Sequence, residues 1–220
     1  MLSLRLKTIE NMVESGVIVA DIGTDHALLP VQLVLSGKIS KAYAVDNKSG
    51  PYQRALSYIQ SKNCEDSVIA VLADGLTSVP QEANCWIIAG MGYDTAAMIL
   101  DQRFEVKTGQ QLIVQVNHGV DNLRKYLMTK GWQIIDEQII FELHYYQIIK
   151  AVKVKSIVRL KPDDITFGPL LRKEKNSVYT EYWILQMQKL QKIVAQLDHG
   201  SKRAQQLQKQ IHTIRDMLNG

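Results

Sequence analysis

Cysteine is nearly absent from this chain, with Cys64 and Cys85 the only two among 220 residues. Two thiols cannot staple a chain of this length, which excludes a disulfide scaffold and makes a reduced, cytoplasmic setting the expectation. The spacings that build metal sites, C-x-x-C and H-x-x-x-H, are missing, and His118, His144, His199 and His212 are scattered, so no metal is expected. No apolar run approaches the roughly 18 residues of a membrane span, and Met1-Leu2-Ser3-Leu4-Arg5-Leu6-Lys7 has no signal-peptide core. A soluble, unexported protein with no membrane partner follows. There is no Walker loop and no G-x-S-x-G, which disfavours phosphoryl transfer and nucleophilic hydrolysis.

What is present is ample apolar material: 46% of the residues are hydrophobic, enough for a sizeable core. Short β-branched runs recur at Val17–Ile22, Ala42–Asp46, Val68–Leu72, Trp86–Ala89 and Leu112–Val116. Each is separated from the next by turn residues and a helix-length segment, including Ala27–Ser36 and the helix opened by Gly50-Pro51. This rhythm predicts an α/β fold, doubly wound and mostly parallel. Between Trp132 and Val154 the apolar runs follow too closely for a crossover helix, so the last strands must be antiparallel.

Charge divides the chain unevenly. Residues 1–150 carry 13 Lys+Arg against 16 Asp+Glu, a net of −3, whereas residues 151–220 carry 13 against 6, a net of +7. The turn signals Lys161-Pro162-Asp163-Asp164 and Phe167-Gly168-Pro169 mark a boundary, giving domains over 1–160 and 161–220. In the second, Trp183, Met187, Leu190, Val194 and Leu197 form one heptad seam and Ala204, Leu207, Ile211, Ile214 and Leu218 another. Asp198-His199-Gly200-Ser201 supplies a turn and a glycine C-cap between them, so an antiparallel helical hairpin, coiled-coil-like, is predicted. Its basic surface suits a polyanion such as RNA, or is a solvated lysine-rich face; the hairpin projects, or packs on its own domain.

The most informative stretch is Val19-Ala20-Asp21-Ile22-Gly23-Thr24-Asp25-His26, a buried strand passing through a glycine turn into a helix. A dinucleotide site would read G-x-G-x-x-G and offer glycine backbone to a pyrophosphate. Here Gly23 stands alone between Asp21 and Asp25, which repel phosphate but suit the α-ammonium and sulfonium of S-adenosyl-L-methionine. The alternative, which can coexist with that role, is that Asp25 or Thr24 caps the next helix. Asp46, with Asn47, ends the second strand about twenty residues on, where a carboxylate can accept from ribose hydroxyls. Asp74-Gly75 follows the third strand, where Asp74 accepts from an adenine amino group and Gly75 makes room for the ring, or the pair forms an Asx turn. After the fourth, Gly90-Met91-Gly92 exposes carbonyls beside a methyl donor and Tyr93 can stack on a planar substrate; the alternative is a turn into a helix capped by Asp94. His26 is a candidate general base or a hydrogen-bonded structural residue.

These residues together resemble the bacterial tRNA (adenine-N1)-methyltransferase family that acts at position 22 of tRNA. The resemblance is carried by Ala20–Ala27 with Leu29-Pro30, Asp46 with Gly50-Pro51, Asp74-Gly75-Leu76, Ile88–Gly92, Phe167-Gly168-Pro169 and Lys175-Asn176. It implies a class I methyltransferase, Rossmann-like, with S-adenosyl-L-methionine as cofactor and tRNA as partner; separately, a monomer is expected. Implied cofactor residues are Asp21, Gly23, Thr24, Asp25, Asp46, Asn47, Asp74, Gly75 and Gly90, with Gly90, Met91 and His26 as catalytic candidates. The similar N-terminal Ser3-Leu4-Arg5-Leu6 puts Arg5 near the active face. Tyr93, Gln115 and Asn117 border the acceptor base, and Lys173, Lys189, Lys192, Lys202 and Arg203 are available to tRNA phosphates. Two departures fall beside that base: Tyr93 replaces a family glycine, and Gln115-Val116-Asn117-His118 stands where Gln-Pro is usual.

Overall fold

Seven strands form one sheet in the computed structural model, which describes residues 2–103, 105–156, 158–198 and 200–220. They are β1 (Ile18–Ile22), β2 (Lys41–Asp46), β3 (Val68–Leu72), β4 (Cys85–Met91), β5 (Gln111–Val116), β6 (Trp132–Glu142) and β7 (His144–Lys153). Their order is β3-β2-β1-β4-β5-β7-β6. Strands β1 to β5 are parallel, and β7 returns antiparallel between β5 and β6. The helices α2 (Leu28–Leu35), α3 (Ser49–Ser61), α4 (Tyr93–Asp101) and α5 (Val120–Thr129) connect the strands. Burial on both faces explains why β1, β2 and β5 read as continuous apolar runs rather than alternating ones. The predicted mostly parallel sheet with an antiparallel finish is thus present.

An additional helix, α1 (Leu4–Met12), precedes the first strand. Its N-terminus is capped twice: Ser3 Oγ accepts from the Leu6 N–H at 3.3 Å, and the Glu142 carboxylate accepts from Leu4 and Arg5 N–H groups at 2.7 and 3.1 Å. Those two bonds hold the Glu142 carboxyl below its usual range. Ile9 and Met12 then pack with Val19, Ile87 and Ile113, so the helix covers one face of the sheet. Half of this cap is contributed by a residue at the far end of β6, which local sequence cannot reveal.

The turn-like segment at 161–169 is not simply a linker. It folds into α6 (Pro162–Phe167), followed by α7 (Leu171–Glu174). Pro162 occupies a first-turn position and Asp164 accepts from the Lys161 N–H at 3.1 Å. The hairpin follows as α8 (Ser177–Val194) and α9 (Lys202–Asn219). Trp183 clusters with Ile214 and Met217 at one end, and Val194 with Leu207 and Ile211 at the other, so the pair is antiparallel. Met217, rather than Leu218, is the buried residue that ends the second seam. The C-cap of α8 is Ala195, not Gly200, and Ser201 caps α9 by accepting from the Ala204 N–H at 3.1 Å. His199 lies outside the described residues. At its base the hairpin packs through Tyr179 and Trp183 on Ile139 of β6 and Phe167 of α6; among the described residues, the apolar cluster at its far end is drawn from the hairpin itself.

Sheet and C-terminal helices are joined by a buried polar knot. Arg124 of α5 and Glu137 of β6 are both fully buried, with Arg124 Nε donating to Glu137 Oε1 at 2.8 Å. Both cysteines are buried, and burial pushes the Cys85 thiol up to about 12, which leaves it unreactive.

Candidate functional site

In an open α/β sheet the ligand crevice lies beyond the strand carboxyl ends where the order reverses, which here is between β1 and β4. Two adjoining hollows open there, of about 200 and 150 Å³, and Gly23 lines both. With a φ of +76°, Gly23 turns the chain out of β1, and a Cβ would lie 3.4 Å from Met91 Cε. Both Gly23 and Thr24 donate their N–H groups to Val45 O, fixing the loop against β2. Larger hollows of about 580, 600 and 990 Å³ occur elsewhere, and none is lined by the strand carboxyl ends.

The 200 Å³ hollow is acidic at its floor. Asp21 is only 8% exposed. Burial pushes its carboxyl up to about 6, against the opposing effects of a 2.7 Å hydrogen bond from the Thr24 hydroxyl and the charge of Arg5. A buried carboxylate with one hydrogen bond and a nearby cavity is a receptor for a cation. Asp25 and His26 line the same hollow. Asp25 is already paired, accepting from Arg54 Nη2 at 2.6 Å, with His26 Nε2 3.6 Å from its other oxygen. Neither Thr24 nor Asp25 caps α2, whose N-cap is Ala27 without a side-chain bond, so the capping alternative is removed.

The 150 Å³ hollow collects Asp46, Asn47, Asp74 and Gly75. Asp46 Oδ1 accepts from the Lys48 N–H at 2.9 Å, and Asn47 Nδ2 donates to Asp74 Oδ1 at 3.4 Å, tying the loops after β2 and β3 together. Gly75 is needed for a reason besides ring space: the Gln102 carboxamide fills the position a Cβ would occupy and accepts from the Leu76 N–H at 2.7 Å. The opposite wall is Thr95, Met98 and Ile99 of α4, which the motifs did not single out. Met98 is 58% exposed although apolar. The two hollows meet at Gly23, with Asp21 on one and Asp46 and Asp74 on the other.

Beside Gly23, the loop after β4 is held by a polar relay. Gln115 Oε1 accepts from Arg5 Nη1 at 2.9 Å and from the Gly90 N–H at 3.1 Å. Gln115 Nε2 donates to Asn117 Oδ1 at 3.1 Å, while Asn117 Nδ2 and N–H donate to the Gly90 and Met91 carbonyls at 2.9 and 2.8 Å. Arg5, Gln115, Asn117 and Gly90 are thus brought together, and the two carbonyls have partners in Asn117. Tyr93 begins α4 behind this loop, against Gly119, and α4 is capped by Gly92 without a side-chain bond from Asp94. His118 lies against Gly92, where a Cβ would come within 2.6 Å of its Nε2.

The family described as tRNA (adenine(22)-N(1))-methyltransferase, TrmK, matches residues 19–216. The chain belongs to this family. A Bacillus subtilis (strain 168) relative named tRNA (adenine(22)-N(1))-methyltransferase is 32% identical over 215 residues, covering 94% of this chain and 90% of that protein. The fold superposes on M. capricolum TrmK, crystallised with S-adenosyl-homocysteine, with a TM-score of 0.89 and 31% identity over 100% of this chain and 98% of the other. A Streptococcus pneumoniae protein crystallised with S-adenosyl-L-methionine gives 0.87 and 32%, over 99% and 100%.

The remaining predicted residues stand apart from the pocket of this family member. Lys173 is exposed on α7, Lys189 and Lys192 on α8, and Lys202 and Arg203 at the start of α9. Among the described residues no group of three or more His, Cys, Asp or Glu could hold a metal, and no helix is long and apolar enough to cross a membrane.

Proposed function

We propose that this chain transfers the methyl group of S-adenosyl-L-methionine to N1 of adenine 22 in tRNA, acting as a cytoplasmic monomer. The observation that carries the cofactor assignment is the buried Asp21 carboxylate beside a hollow that also meets Asp46 and Asp74. Residues 1–160 hold the cofactor and residues 161–220 the tRNA. When bound, the cofactor supplies an electrophilic methyl on a positive sulfur. Adenine N1 has an in-plane lone pair and no proton, so the chain needs no general base and His26 need not act as one. Its work is alignment: N1 must lie about 3–3.5 Å from the methyl and in line with sulfur. The Arg5–Gln115–Asn117 relay fixes the Gly90-Met91 loop against which the base must sit. The product base is cationic, and the Gly90 and Met91 carbonyls, each with a second lone pair beyond the one that Asn117 uses, favour it.

The assignment is tested with unmodified tRNA transcripts and S-adenosyl-L-methionine, followed by nucleoside mass spectrometry. One-methyladenosine mapped to position 22, and abolished when that adenine is replaced, is expected. Cofactor binding without methylation of any transcript would overturn the substrate assignment.

The basic helices make a second prediction. Replacing Lys189, Lys192, Lys202 and Arg203 by glutamine should weaken tRNA binding and flatten its salt dependence, by roughly 0.7–0.9 in log–log slope for each phosphate no longer neutralised. Cofactor affinity should be unchanged, because these residues are remote from both hollows. Titrations at about 50 and 200 mM salt decide the matter, and an unaltered slope would assign the basic face to solvent.

A further inference from the structure

The hairpin joining β6 and β7 ends in an unusual apex. Glu142 pairs with His144, leaving Leu143 alone between the strands. Leu143 is 86% exposed and adopts a φ of +60°, a left-handed conformation that a branched aliphatic residue rarely takes. Glycine or asparagine would make the same turn with less strain, and a polar residue would suit water better. Strain and exposure in one side chain are a reason to ask what it touches in the working complex.

The apex is stiffly mounted and well placed. Antiparallel pairing of Gln115 with Ile148 puts His144 three residues beyond Val116, the carboxyl end of β5, so the apex stands about 10 Å above the cofactor face. On one side Glu142 accepts from the Leu4 and Arg5 N–H groups. Arg5 then reaches inward, its guanidinium 5.6 Å from the Tyr146 ring centre and bonded to Gln115, so one residue joins the apex to the Gly90 loop. On the other side Phe141 leans on Tyr145, with centroids 4.8 Å apart, and Tyr145 on Tyr182 of α8 at 5.3 Å. The apex therefore lies between the pocket and the helices that carry the basic face.

We infer that Leu143 is a wedge that enters the tRNA base stack and occupies the gap left when the target adenine is turned out into the pocket. The inference rests on the tRNA reading above and extends it to the step before methyl transfer. In folded tRNA the acceptor base is stacked, and unstacking must be offset by other interactions. An apolar side chain inserted at a base step is a general way to hold a nucleotide out. Leu143 is suited to that work because it is apolar, exposed and carried on a rigidly held backbone.

The test uses Leu143→Gly in the full chain, a substitution that relieves the backbone strain and so retains the fold. Single-turnover methylation is compared on an intact tRNA transcript and on one whose nucleotides flanking adenine 22 are abasic. The expected result is a fall of at least about tenfold on intact tRNA and less than about twofold on the abasic-flanked RNA. Leu143→Met should restore the rate. 2-Aminopurine at position 22 should brighten on binding the unaltered protein and stay quenched with Leu143→Gly. Equal rates for variant and unaltered chain on intact tRNA, or equal losses on both RNAs, would overturn the wedge. Failure of the unaltered chain to methylate either RNA would overturn the tRNA reading, and the wedge with it.

Discussion

Replacing Asp21 by asparagine should stabilise the unliganded protein while weakening its hold on S-adenosyl-L-methionine by roughly 10–100-fold, the equivalent of one charge-assisted hydrogen bond. The two effects have one cause. Asp21 is buried, and its carboxyl is pushed up to about 6 from an ordinary 3.8. The folded state therefore binds a proton more tightly than the unfolded state between those values. By linkage, folding stability is greater below about pH 4 and is lost as pH rises towards 6. The shift corresponds to an upper limit of about 3 kcal/mol. Asparagine has the same shape, can still accept from the Thr24 hydroxyl, and carries no charge to desolvate. A gain of about 1–3 kcal/mol at pH 7.5, shrinking to nothing near pH 4, is expected in urea unfolding.

Cofactor binding should show the opposite dependence. An ammonium group needs the ionised carboxylate, so calorimetric affinity of the unaltered chain should fall as pH drops below about 6. With Asp21→Asn the affinity should be low and flat across that window. A variant that lost stability at pH 7.5 would show that Asp21 is held by partners rather than poised for one. Unchanged affinity would place the ammonium elsewhere in the 200 Å³ hollow.

Much of this site could be read along the chain because its residues follow strands. Each parallel strand is a short apolar run, and whatever follows it must emerge at the same face of the sheet, which puts Asp21, Asp46, Asp74 and Gly90 together. The same logic fails for groups that meet through tertiary packing. Helix α1 depends on Glu142, 138 residues away from the N–H it accepts, so no local capping signal marks the helix fully. Arg54 neutralises Asp25 from a neighbouring helix, which makes Asp21 and Asp25 unequal although they look alike in the motif. Gln102 explains Gly75, and α4 supplies Met98 to the ring hollow, both through the packing of α4 rather than any spacing. Heptad periodicity placed both hairpin seams but drifted at the end, where the 3.6-residue turn brings Met217 inward instead of Leu218.

The largest loss of stability should come from Arg124, a residue whose charge gives no hint of its burial. Besides Glu137 Oε1, its guanidinium donates to Gln147 Oε1 at 2.7 Å and to the Ile165 carbonyl of α6 at 3.2 Å. Glu137 Oε2 accepts from the Leu170 N–H at 2.8 Å, at the start of α7. Strand, helix and C-terminal segment thus share one desolvated pair. Removing one member leaves a buried charge without its partner, which costs about 3–5 kcal/mol. Arg124→Leu should therefore lower Tm by roughly 6–20 °C for a chain of this size. Gly168→Ala should act on the same knot by another route. Its φ is +87°, and an added Cβ would lie 2.8 Å from Arg124 Nη2 and 2.9 Å from Glu137 Oε2. Exchanging both members of the pair for apolar residues should recover only part of the loss, because the Leu170 N–H and Ile165 carbonyl would then lack partners. Since α6 and α7 lead into α8, the knot also sets where the basic hairpin stands relative to the pocket. Under conditions where Arg124→Leu remains folded, methylation of tRNA should fall further than cofactor affinity. Equal falls in both would mean that the pocket and the hairpin unfold as one unit, and that the pair stabilises the whole chain rather than orienting its two parts.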